Sequence, residues 1–255
     1  MRKVIRDFKI LFNTRLNQDY FILEILSPEP LIRIMPGQFI QVRIDKSKDT
    51  FLRRPFSIHD VDYENNIIKL LIQIAGKGTK VLSELLPGEN LNVIYPLGNS
   101  FSIPELGEKV LLIGGGSGTA PLLFLARYLN EKKITPDILL GFRNKYRIIE
   151  LEEFSKYGKM YITTEDGSEG FKGLIDDHPV LTNNKYDRIY CCGPEPMIKK
   201  IASYARLMNI FCEVSLENLM ACGIGVCLCC VVKTTQGHVC TCTDGPVFNV
   251  NQLIW

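Results

Sequence analysis

Nine cysteines are unevenly distributed along this chain of 255 residues. Four of them fall between Cys222 and Cys230, and Cys240 and Cys242 follow shortly after. In a reducing compartment, a group of cysteines more often binds a metal or performs redox chemistry than forms disulfides, and nine is an odd number. Three kinds of group therefore compete for this segment: a disulfide, a zinc ion and an iron-sulfur cluster.

The spacing of Cys222, Cys227 and Cys230 favours the cluster. It is C-x4-C-x2-C, which is the plant-type [2Fe-2S] pattern and is completed by a more distant fourth cysteine. A structural zinc site normally has paired C-x2-C units or histidines, whereas this chain has one such unit and three scattered histidines. We therefore predict an iron-sulfur cluster ahead of zinc, with redox-active thiols as a weaker alternative.

Two glycines support the same interpretation, but spacing does not identify the fourth ligand. Gly223 and Gly225 suit a loop that wraps closely around a cluster. Cys240 and Cys242 are both at a suitable distance along the chain.

The rest of the chain must supply the elements that position these cysteines. Residues 1–103 consist of short apolar or alternating segments separated by turn signals, which predicts an antiparallel β-barrel. Residues 104–212 alternate strand-like and helix-like segments, which predicts an α/β domain with a parallel sheet. Residues 213–255 contain no long periodic segment, and so small a domain needs a metal in place of a core.

Composition narrows the partners. The chain has 30 basic and 28 acidic residues, a net charge of +2 and 46% hydrophobic residues. It has no basic run with interleaved aromatic residues, so we expect no nucleic-acid binding. It has neither a signal-peptide pattern nor an apolar run long enough for a membrane helix, so we expect a cytoplasmic protein without membrane insertion.

The barrel segment contains two candidate anion sites. Pro55 cannot donate to a sheet ladder, so the segment Arg54–Ser57 marks a strand edge where a guanidinium can face phosphate oxygens. About twenty residues later, Gly76 and Gly78 precede a short helix predicted over residues 80–86, with Thr79 as its N-cap. A helix N-terminus after a glycine-rich turn is suited to an anion.

The α/β segment contains a second glycine-rich turn. A buried strand runs into Gly115, Gly116 and Gly118, and a helix opens at Thr119, which is the arrangement that receives a dinucleotide phosphate. Arg143 follows the next strand, so residue types leave the choice between NAD and NADP open.

Together these segments resemble the ferredoxin-NADP reductase family. Arg-Pro-x-Ser followed by Gly-x-Gly-Thr is similar to its FAD-binding barrel, and the glycine-rich turn with the later Cys-Gly-Pro turn is similar to its nicotinamide-dinucleotide domain. The resemblance implies FAD contacts at Arg54, Pro55, Phe56, Ser57, Leu71, Ile72, Gln73, Gly78 and Thr79. It implies NAD contacts at Gly115, Gly116, Gly118, Thr119, Cys192 and Gly193.

The C-terminal segment, residues 213–255 and called the tail below, resembles one particular branch of this family. The segment SLENLMACGIGVCLCCVVKT, followed by CTDGPVF, resembles the iron-sulfur electron-transfer subunits of NAD-dependent dihydroorotate dehydrogenases. In that family the last cluster ligand lies two residues before Asp-Gly-Pro-Val-Phe, which implies Cys242 as the fourth ligand beside Cys222, Cys227 and Cys230. Cys229 and Cys240 are additional cysteines without an implied role.

The resemblance also implies a function. The chain would carry electrons from a separate FMN-containing dihydroorotate dehydrogenase subunit, through a [2Fe-2S] cluster and FAD, to NAD+ in pyrimidine biosynthesis, within a heterotetramer of two plus two subunits. Alone it would have diaphorase activity only. Two alternatives remain: a reductase subunit of a hydrogenase, sulfur reductase or NADPH-ferredoxin transhydrogenase, and a zinc-stapled binding protein on the same scaffold.

Overall fold

The computed structural model describes residues 3–255, so the first two residues of the predicted barrel domain lie outside the described residues. Within this range the strands form two seven-stranded sheets and one two-stranded hairpin. None of the helices in this range is both long enough and apolar enough to cross a lipid bilayer.

The first sheet contains only antiparallel pairs and confirms the predicted antiparallel barrel. Its strands, with the one helix between them, are β1 (Val4–Arg15), β2 (Tyr20–Leu26), β3 (Phe39–Val42), β4 (Arg54–Ser57), β5 (Asp60–Asp62), β6 (Ile67–Gln73), α1 (Lys77–Ser83) and β7 (Asn90–Leu97). Their order in the sheet is β4-β3-β7-β1-β2-β6-β5. The sheet curls until edge strand β4 approaches β6, so the barrel is open on that side.

The alternation of apolar and polar residues in β1 explains its place in the middle of this sheet. Phe8 and Ile10 are buried in the barrel core and Val4 packs against it, whereas the alternate residues Ile5, Asp7 and Lys9 are exposed. A strand rises with a side-chain period of two, so only one face of β1 can enter the core.

Helix α1 begins earlier than predicted, and Thr79 is not its N-cap. The helix runs from Lys77 to Ser83 after an extended Gly76, which places Thr79 in the third helical position. The Thr79 hydroxyl accepts the N–H groups of Ala75 and Gly76, at 2.9 and 3.1 Å. It therefore reaches back to the residues before the helix, as the third residue of a capping box does.

The second sheet is the predicted parallel sheet. Its first elements are β8 (Val110–Gly115), α2 (Ala120–Glu131), β9 (Asp137–Phe142), α3 (Leu151–Ser155), β10 (Lys159–Thr164), β11 (Phe171–Lys172), α4 (Val180–Asn183), β12 (Arg188–Cys192), α5 (Glu195–Leu207) and β13 (Phe211–Ser215). The strand order β11-β10-β9-β8-β12-β13 reverses between β8 and β12. All six residues of β8 are buried, because the sheet is covered on both faces.

The tail is attached to both larger units and does not form a core of its own. Its strands are β14 (Val231–Thr234), β15 (Gly237–Cys240) and β16 (Val247–Asn249). The first two form the hairpin, and β16 pairs antiparallel with β13 at the edge of the second sheet. The apolar side chains of Phe248, Val250 and Leu253 belong to the core on that sheet.

Strand β13 spans the predicted boundary between residues 212 and 213, and the division into three domains stays a prediction.

Asn99, which follows β7, connects the tail to the barrel. Its side chain donates to the carbonyls of Asp244 and Val247, at 2.8 and 3.0 Å, and accepts the N–H of Val247 at 3.0 Å.

Candidate cofactor sites and cysteine cluster

A gap between two strand edges lies on the open side of the barrel. Strand β6 pairs with β5 only through Ile67–Lys69, so in the described chain Leu71–Gln73 have no strand partner on that edge. Strand β4 is the edge strand facing the gap. Free backbone N–H and C=O groups require partners, so this gap is suited to a ligand with polar groups along its length.

The predicted FAD residues of β4 line up along this gap. The guanidinium of Arg54 donates to the carbonyl of Leu52 at 3.0 Å and forms no ion pair with any residue between 3 and 255. Its charge is therefore available to phosphate oxygens. Pro55, Phe56 and Ser57 are half-buried on the same strand.

The predicted residues of β6 are placed differently. Leu71 is buried where the barrel meets the second sheet, and Ile72 is buried in the barrel core. Gln73 is half-buried and lines the large cleft described below. Contacts from Leu71 and Ile72 to a cofactor would therefore come from their backbone groups.

The glycine-rich turn before α1 is shaped by packing. A Cβ on Gly78 would lie 2.9 Å from Cδ1 of Ile44 and 3.3 Å from Cγ2 of Thr50, so glycine lets the first turn of α1 pack against that loop. Because the Thr79 hydroxyl is used within the turn, this turn offers a ligand mainly the unpaired N–H groups of the helix start.

A cleft of about 410 Å³ opens at the carboxyl ends of the parallel strands. It lies where the strand order reverses between β8 and β12, which is the place where open parallel sheets bind their ligands. Its lining includes Tyr20, Gln73, Gly115, Gly116, Ser117, Arg143, Arg147, Glu165, Pro194, Met197 and Lys200. Both basic and acidic side chains therefore face it.

Glycines bring the two turns beside this cleft into contact. A Cβ on Gly118 would lie 2.3 Å from the carbonyl oxygen of Cys192, and one on Gly115 would lie 2.7 Å from Sδ of Met197. Gly193 has a φ of +155° and packs against the Cα of Gly115. The turn after β8 and the turn after β12 can approach this closely only because these positions have no side chain.

Of the predicted NAD residues, only Gly115 and Gly116 line the cleft itself. Gly118, Cys192 and Gly193 lie behind it, where the two turns touch. Thr119 is fully buried, and its hydroxyl donates to the Gly116 carbonyl at 2.9 Å. The structure thus brings the six predicted residues together, with four of them in supporting positions.

Sequence reasoning missed one acidic residue at this junction. Glu217 follows β13, and its carboxylate is close enough to Cys192 and Tyr20 to raise the pKa of both. Burial and then the nearby Glu217 carboxylate raise the pKa of Cys192, so that thiol stays protonated. The only signal in the sequence is a charged residue directly after an apolar strand.

The cysteine-rich loop, residues 220–230, and Cys242 after β15 bring the four predicted ligands together as two pairs. The thiols of Cys222 and Cys227 are neighbours, and Cys230, whose sulfur accepts the N–H of Cys242 at 3.4 Å, is a neighbour of both Cys242 and Cys240. Cys230 and Cys242 are buried, whereas Cys227 is exposed and Cys222 is half-buried. One pair therefore faces the interior and the other faces the surface.

Backbone N–H groups point at these sulfurs. Cys222 Sγ accepts the N–H groups of Ile224 and Cys227, each at 3.4 Å. The N–H of Gly225 reaches Cys242 Sγ at 3.1 Å, across seventeen positions of sequence. Partial burial opposes ionisation, but the N–H groups dominate and lower the pKa of Cys222 to about 6. Donors aimed at sulfur favour the thiolate, which is the form that binds metals.

The two additional cysteines differ in position. Cys240 is buried and contacts Cys230, whereas Cys229 is exposed.

Among residues 3–255, no three His, Cys, Asp or Glu side chains converge on a point that would hold a single metal ion. Two pairs of thiols suit a group with two metal centres, because each iron of a Cys₄ [2Fe-2S] cluster takes two of the four thiolates.

The loop lies directly against the barrel. Cys230, Cys240 and Cys242 pack with Phe39 of β3 and Leu97 of β7. A Cβ on Gly223, which has a φ of +69°, would lie 2.6 Å from Cγ of Gln41 on β3. Within the part of the chain that the structure describes, the fully buried Gln41 has no hydrogen-bond partner for Oε1 or Nε2, and the buried Thr241 hydroxyl also has none. Leaving such groups unpaired costs about 1–3 kcal/mol each, which indicates room for a further group beside this loop.

An open antiparallel barrel, a parallel sheet with a cleft at its switch point and a cysteine loop between them define a flavin- and nicotinamide-dependent oxidoreductase with an iron-sulfur domain. Family models match the oxidoreductase FAD-binding domain over residues 7–101, the oxidoreductase NAD-binding domain over 112–203, and the iron-sulfur cluster binding domain of dihydroorotate dehydrogenase B over 217–254. The chain belongs to the family of electron transfer subunits of dihydroorotate dehydrogenase B (NAD(+)), and its cofactors are FAD, NAD and an iron-sulfur cluster.

Curated relatives support this membership over the whole chain. The electron transfer subunit of dihydroorotate dehydrogenase B (NAD(+)) from Desulforamulus reducens is 37% identical over 100% of both chains. The subunit of the same name from Caldanaerobacter subterraneus subsp. tengcongensis is 40% identical over 86% of this chain and 87% of its own.

Solved structures show the same architecture. A structure of the NADH-dependent reduced ferredoxin-NADP oxidoreductase, studied for flavin-based electron bifurcation, has a TM-score of 0.88 and 31% identity, covering 97% of this chain and 90% of that chain. The flavohemoglobin of Malassezia yamatoensis, at 19% identity and a TM-score of 0.69 over 83% of this chain and 60% of its own, shares the fold alone.

Proposed function

We propose that this chain carries electrons from a separate FMN-containing subunit, which oxidises dihydroorotate to orotate, to NAD+. The observation that carries the proposal is the contact between the cysteine loop and the barrel, through Gly223 against Gln41 and the cysteines against Phe39. This contact brings the candidate cluster ligands next to the candidate flavin-binding barrel. Oxidation of dihydroorotate releases two electrons, and reduction of NAD+ to NADH takes up both as a hydride.

The residues divide among three cofactors as follows. Arg54–Ser57, Leu71–Gln73, Gly78 and Thr79 would hold FAD along the open side of the barrel. Gly115 and Gly116 would contact NAD directly, with Gly118, Thr119, Cys192 and Gly193 shaping the cleft behind them. Bound there, a flavin links one-electron and two-electron transfer, because a [2Fe-2S] cluster carries one electron and a nicotinamide carries two.

Cys222, Cys227, Cys230 and Cys242 would bind the cluster, which we assign as [2Fe-2S]. The two thiol pairs suit two irons, with Cys222 and Cys227 on the surface side and Cys230 and Cys242 on the barrel side. Cys242 is favoured over Cys240 because its sulfur also accepts the N–H of Gly225 from the cluster loop.

Exposed apolar side chains around the outer thiol pair support a partner site. Val226 is 75% exposed, Leu228 is 63% exposed and Ile224 is 43% exposed, all within the loop that carries Cys222 and Cys227. Neighbouring exposed apolar side chains of this kind mark interaction sites on soluble proteins. We assign this surface, Ile224–Leu228, to the FMN-containing subunit, within a heterotetramer of two plus two subunits. The cytoplasmic location remains a prediction from the sequence.

The test for the cluster compares two neighbouring cysteines in the assembled protein, purified without oxygen. Cys242→Ser should remove most of the iron and acid-labile sulfide, together with NAD-linked orotate formation, while FAD stays bound. Cys240→Ser is the matched control and should keep its iron. Equal loss of iron from both variants, or retention by both, would contradict the ligand assignment.

The partner is tested separately. The isolated chain should oxidise NADH with an artificial acceptor and form no orotate, whereas the complex should form orotate. Val226→Lys should weaken capture of the FMN-containing subunit by about 100-fold, because it places a charge in the centre of the interface. Leu207→Lys, at an 84% exposed site on α5, is the control and should bind normally. Orotate formation by the isolated chain would overturn the proposal.

A second candidate function is favoured by one observation. The similarity to the NADH-dependent reduced ferredoxin-NADP oxidoreductase extends over 97% of this chain at 31% identity. A reductase subunit of that kind would copurify with a partner that exchanges electrons with ferredoxin and has no activity on dihydroorotate. Assay of the copurified complex with both substrates distinguishes the two functions.

A further inference from the structure

Gln41 is a buried polar residue in an apolar strand, and none of residues 3–255 forms a hydrogen bond with its side-chain amide. The four residues of β3, Phe39–Val42, are all buried. Ile40 and Val42 face the barrel core, so Phe39 and Gln41 share the opposite face. Both polar atoms of the Gln41 carboxamide lack a hydrogen-bond partner among the described residues. A buried amide without partners is rare in native proteins and points to a missing group.

The surroundings of Gln41 identify which group is missing. Phe39, on the same face, packs against Cys230, Cys240 and Cys242. The Gln41 amide itself lies beside Gly223, where a Cβ would be 2.7 Å from Nε2. Gly223 directly follows Cys222. The Gln41 amide therefore lies beside the cysteine-rich loop. Its contact, Gly223, is next to Cys222 in the sequence, and its neighbour on the strand face, Phe39, packs against Cys230 and Cys242.

We propose that the Gln41 carboxamide is a positioning residue that donates an N–H to a sulfur atom of the iron-sulfur cluster and stabilises its reduced form. This inference rests on the proposed placement of the cluster at Cys222, Cys227, Cys230 and Cys242. Reduction adds one negative charge to the cluster, so a hydrogen bond to its sulfur becomes stronger in that state. Hydrogen bonds to sulfur are among the features that set cluster potentials.

The requirement for glycine at position 223 follows from the same contact. Any side chain there would displace Gln41, in addition to straining a backbone with a φ of +69°. The glycine thus permits close approach between the loop and the amide, and the potential of the cluster depends on a residue of the barrel domain.

The experiment measures the cluster potential by electron paramagnetic resonance during redox titration of the full chain, assembled with its partner and prepared without oxygen. Gln41→Met keeps the size of the side chain and removes the donor. We expect a tenfold smaller equilibrium constant for cluster reduction, which corresponds to a potential lower by about 59 mV for one electron. The flavin potentials should not move.

A second variant and a matched control separate tuning from folding. Gln41→Glu also removes the donor at neutral pH and should lower the potential at least as much. Gln38→Met makes the same change at another buried glutamine, whose amide is satisfied by the N–H of Met35 and the carbonyl of Gly98. Gln38→Met should lower the melting temperature and leave the cluster potential unchanged. In the iron-free chain, Gln41→Met should melt no lower than the parent, because it removes an unsatisfied amide.

The outcomes are distinct. A parent protein without iron and acid-labile sulfide overturns the proposed function and this inference with it. A parent that contains the cluster, with an unchanged cluster potential in both Gln41 variants, overturns the inference alone. A shift confined to the flavin, or an equal shift in Gln38→Met, also contradicts donation from Gln41 to the cluster.

Discussion

The parallel-sheet unit and the cysteine tail hold their sites together in different ways. The turns after β8 and β12, beside the cleft, are fixed by close contacts of backbone with backbone, as between Gly118 and Cys192, and rest on a sheet with its own core. The cysteine loop has little regular structure, and its cysteines pack against apolar residues that belong to the barrel. The first site is therefore complete without its ligand, whereas the second depends on its neighbours and on the metal it binds.

The largest loss of stability is expected from adding a side-chain atom at the contact between the turns after β8 and β12. In Gly118→Ala, the new Cβ would lie 2.3 Å from the Cys192 carbonyl oxygen, so the turns must separate. We expect a loss of about 3 kcal/mol in the free energy of unfolding, with weaker NAD binding. Urea denaturation followed by circular dichroism measures it. Gly76→Ala is the control: Gly76 has an extended backbone and the added Cβ would have no atom within 4 Å, so this change should cost under about 1 kcal/mol.

Removal of iron should affect the tail and spare the sheet. We expect amide hydrogen exchange in residues 220–243 to become about 100-fold faster in the iron-free chain, equivalent to about 2.7 kcal/mol, because metal binding is coupled to local folding. Exchange in β8 and β12 should change less than about twofold. Mass spectrometry of both forms gives the comparison directly. Uniform acceleration across the whole chain would show that the two regions are not independent.

Asn99 connects the tail to the barrel and should have an intermediate effect. Asn99→Ala removes three hydrogen bonds to the backbone of Asp244 and Val247. We expect a loss of about 2 kcal/mol in stability, because partly buried carbonyls lose their donors, together with reduced iron content. Asn65→Ala, at an exposed turn, is the control and should change stability by about 0.5 kcal/mol or less. Normal iron content in Asn99→Ala would mean that the barrel contact does not hold the loop.

The smallest effect concerns β13, the strand that joins the sheet to the tail. Burial raises the pKa of Glu213, although its carboxylate accepts the N–H and hydroxyl of Ser102. The native state therefore holds this proton more tightly than the unfolded state. The stabilisation is fully present below the unfolded pKa and is lost as pH rises through the folded pKa. We expect this proton to change the free energy of unfolding by under about 1 kcal/mol between low and neutral pH. Denaturation at a series of pH values measures the change, which should be absent in Glu213→Gln.

Local sequence was sufficient for much of the fold. Alternation in β1, the continuous apolar segments of β8 and β9, and the helix-strand rhythm that follows them predicted both sheets, because side-chain periodicity is a local property. It was less reliable for the ends of α1, where Gly76 and not Thr79 precedes the helix. The residue at which a short helix begins depends on which neighbouring groups are free to form hydrogen bonds. Here the Thr79 hydroxyl accepts the N–H of Ala75, so Thr79 lies inside the helix and not before it.

The site residues show the same division more sharply. The sequence by itself determined the cofactors, since the spacing of Cys222, Cys227 and Cys230 and the glycine-rich turns are properties of consecutive residues. Only the tertiary structure decided that the cysteines pack against the barrel, that Gly118 serves packing behind the cleft, and that the Gln41 amide is unpaired beside Gly223. These contacts join residues more than fifty positions apart in the sequence. Local residue patterns do not show which distant segments pack together, because folding alone brings those segments into contact.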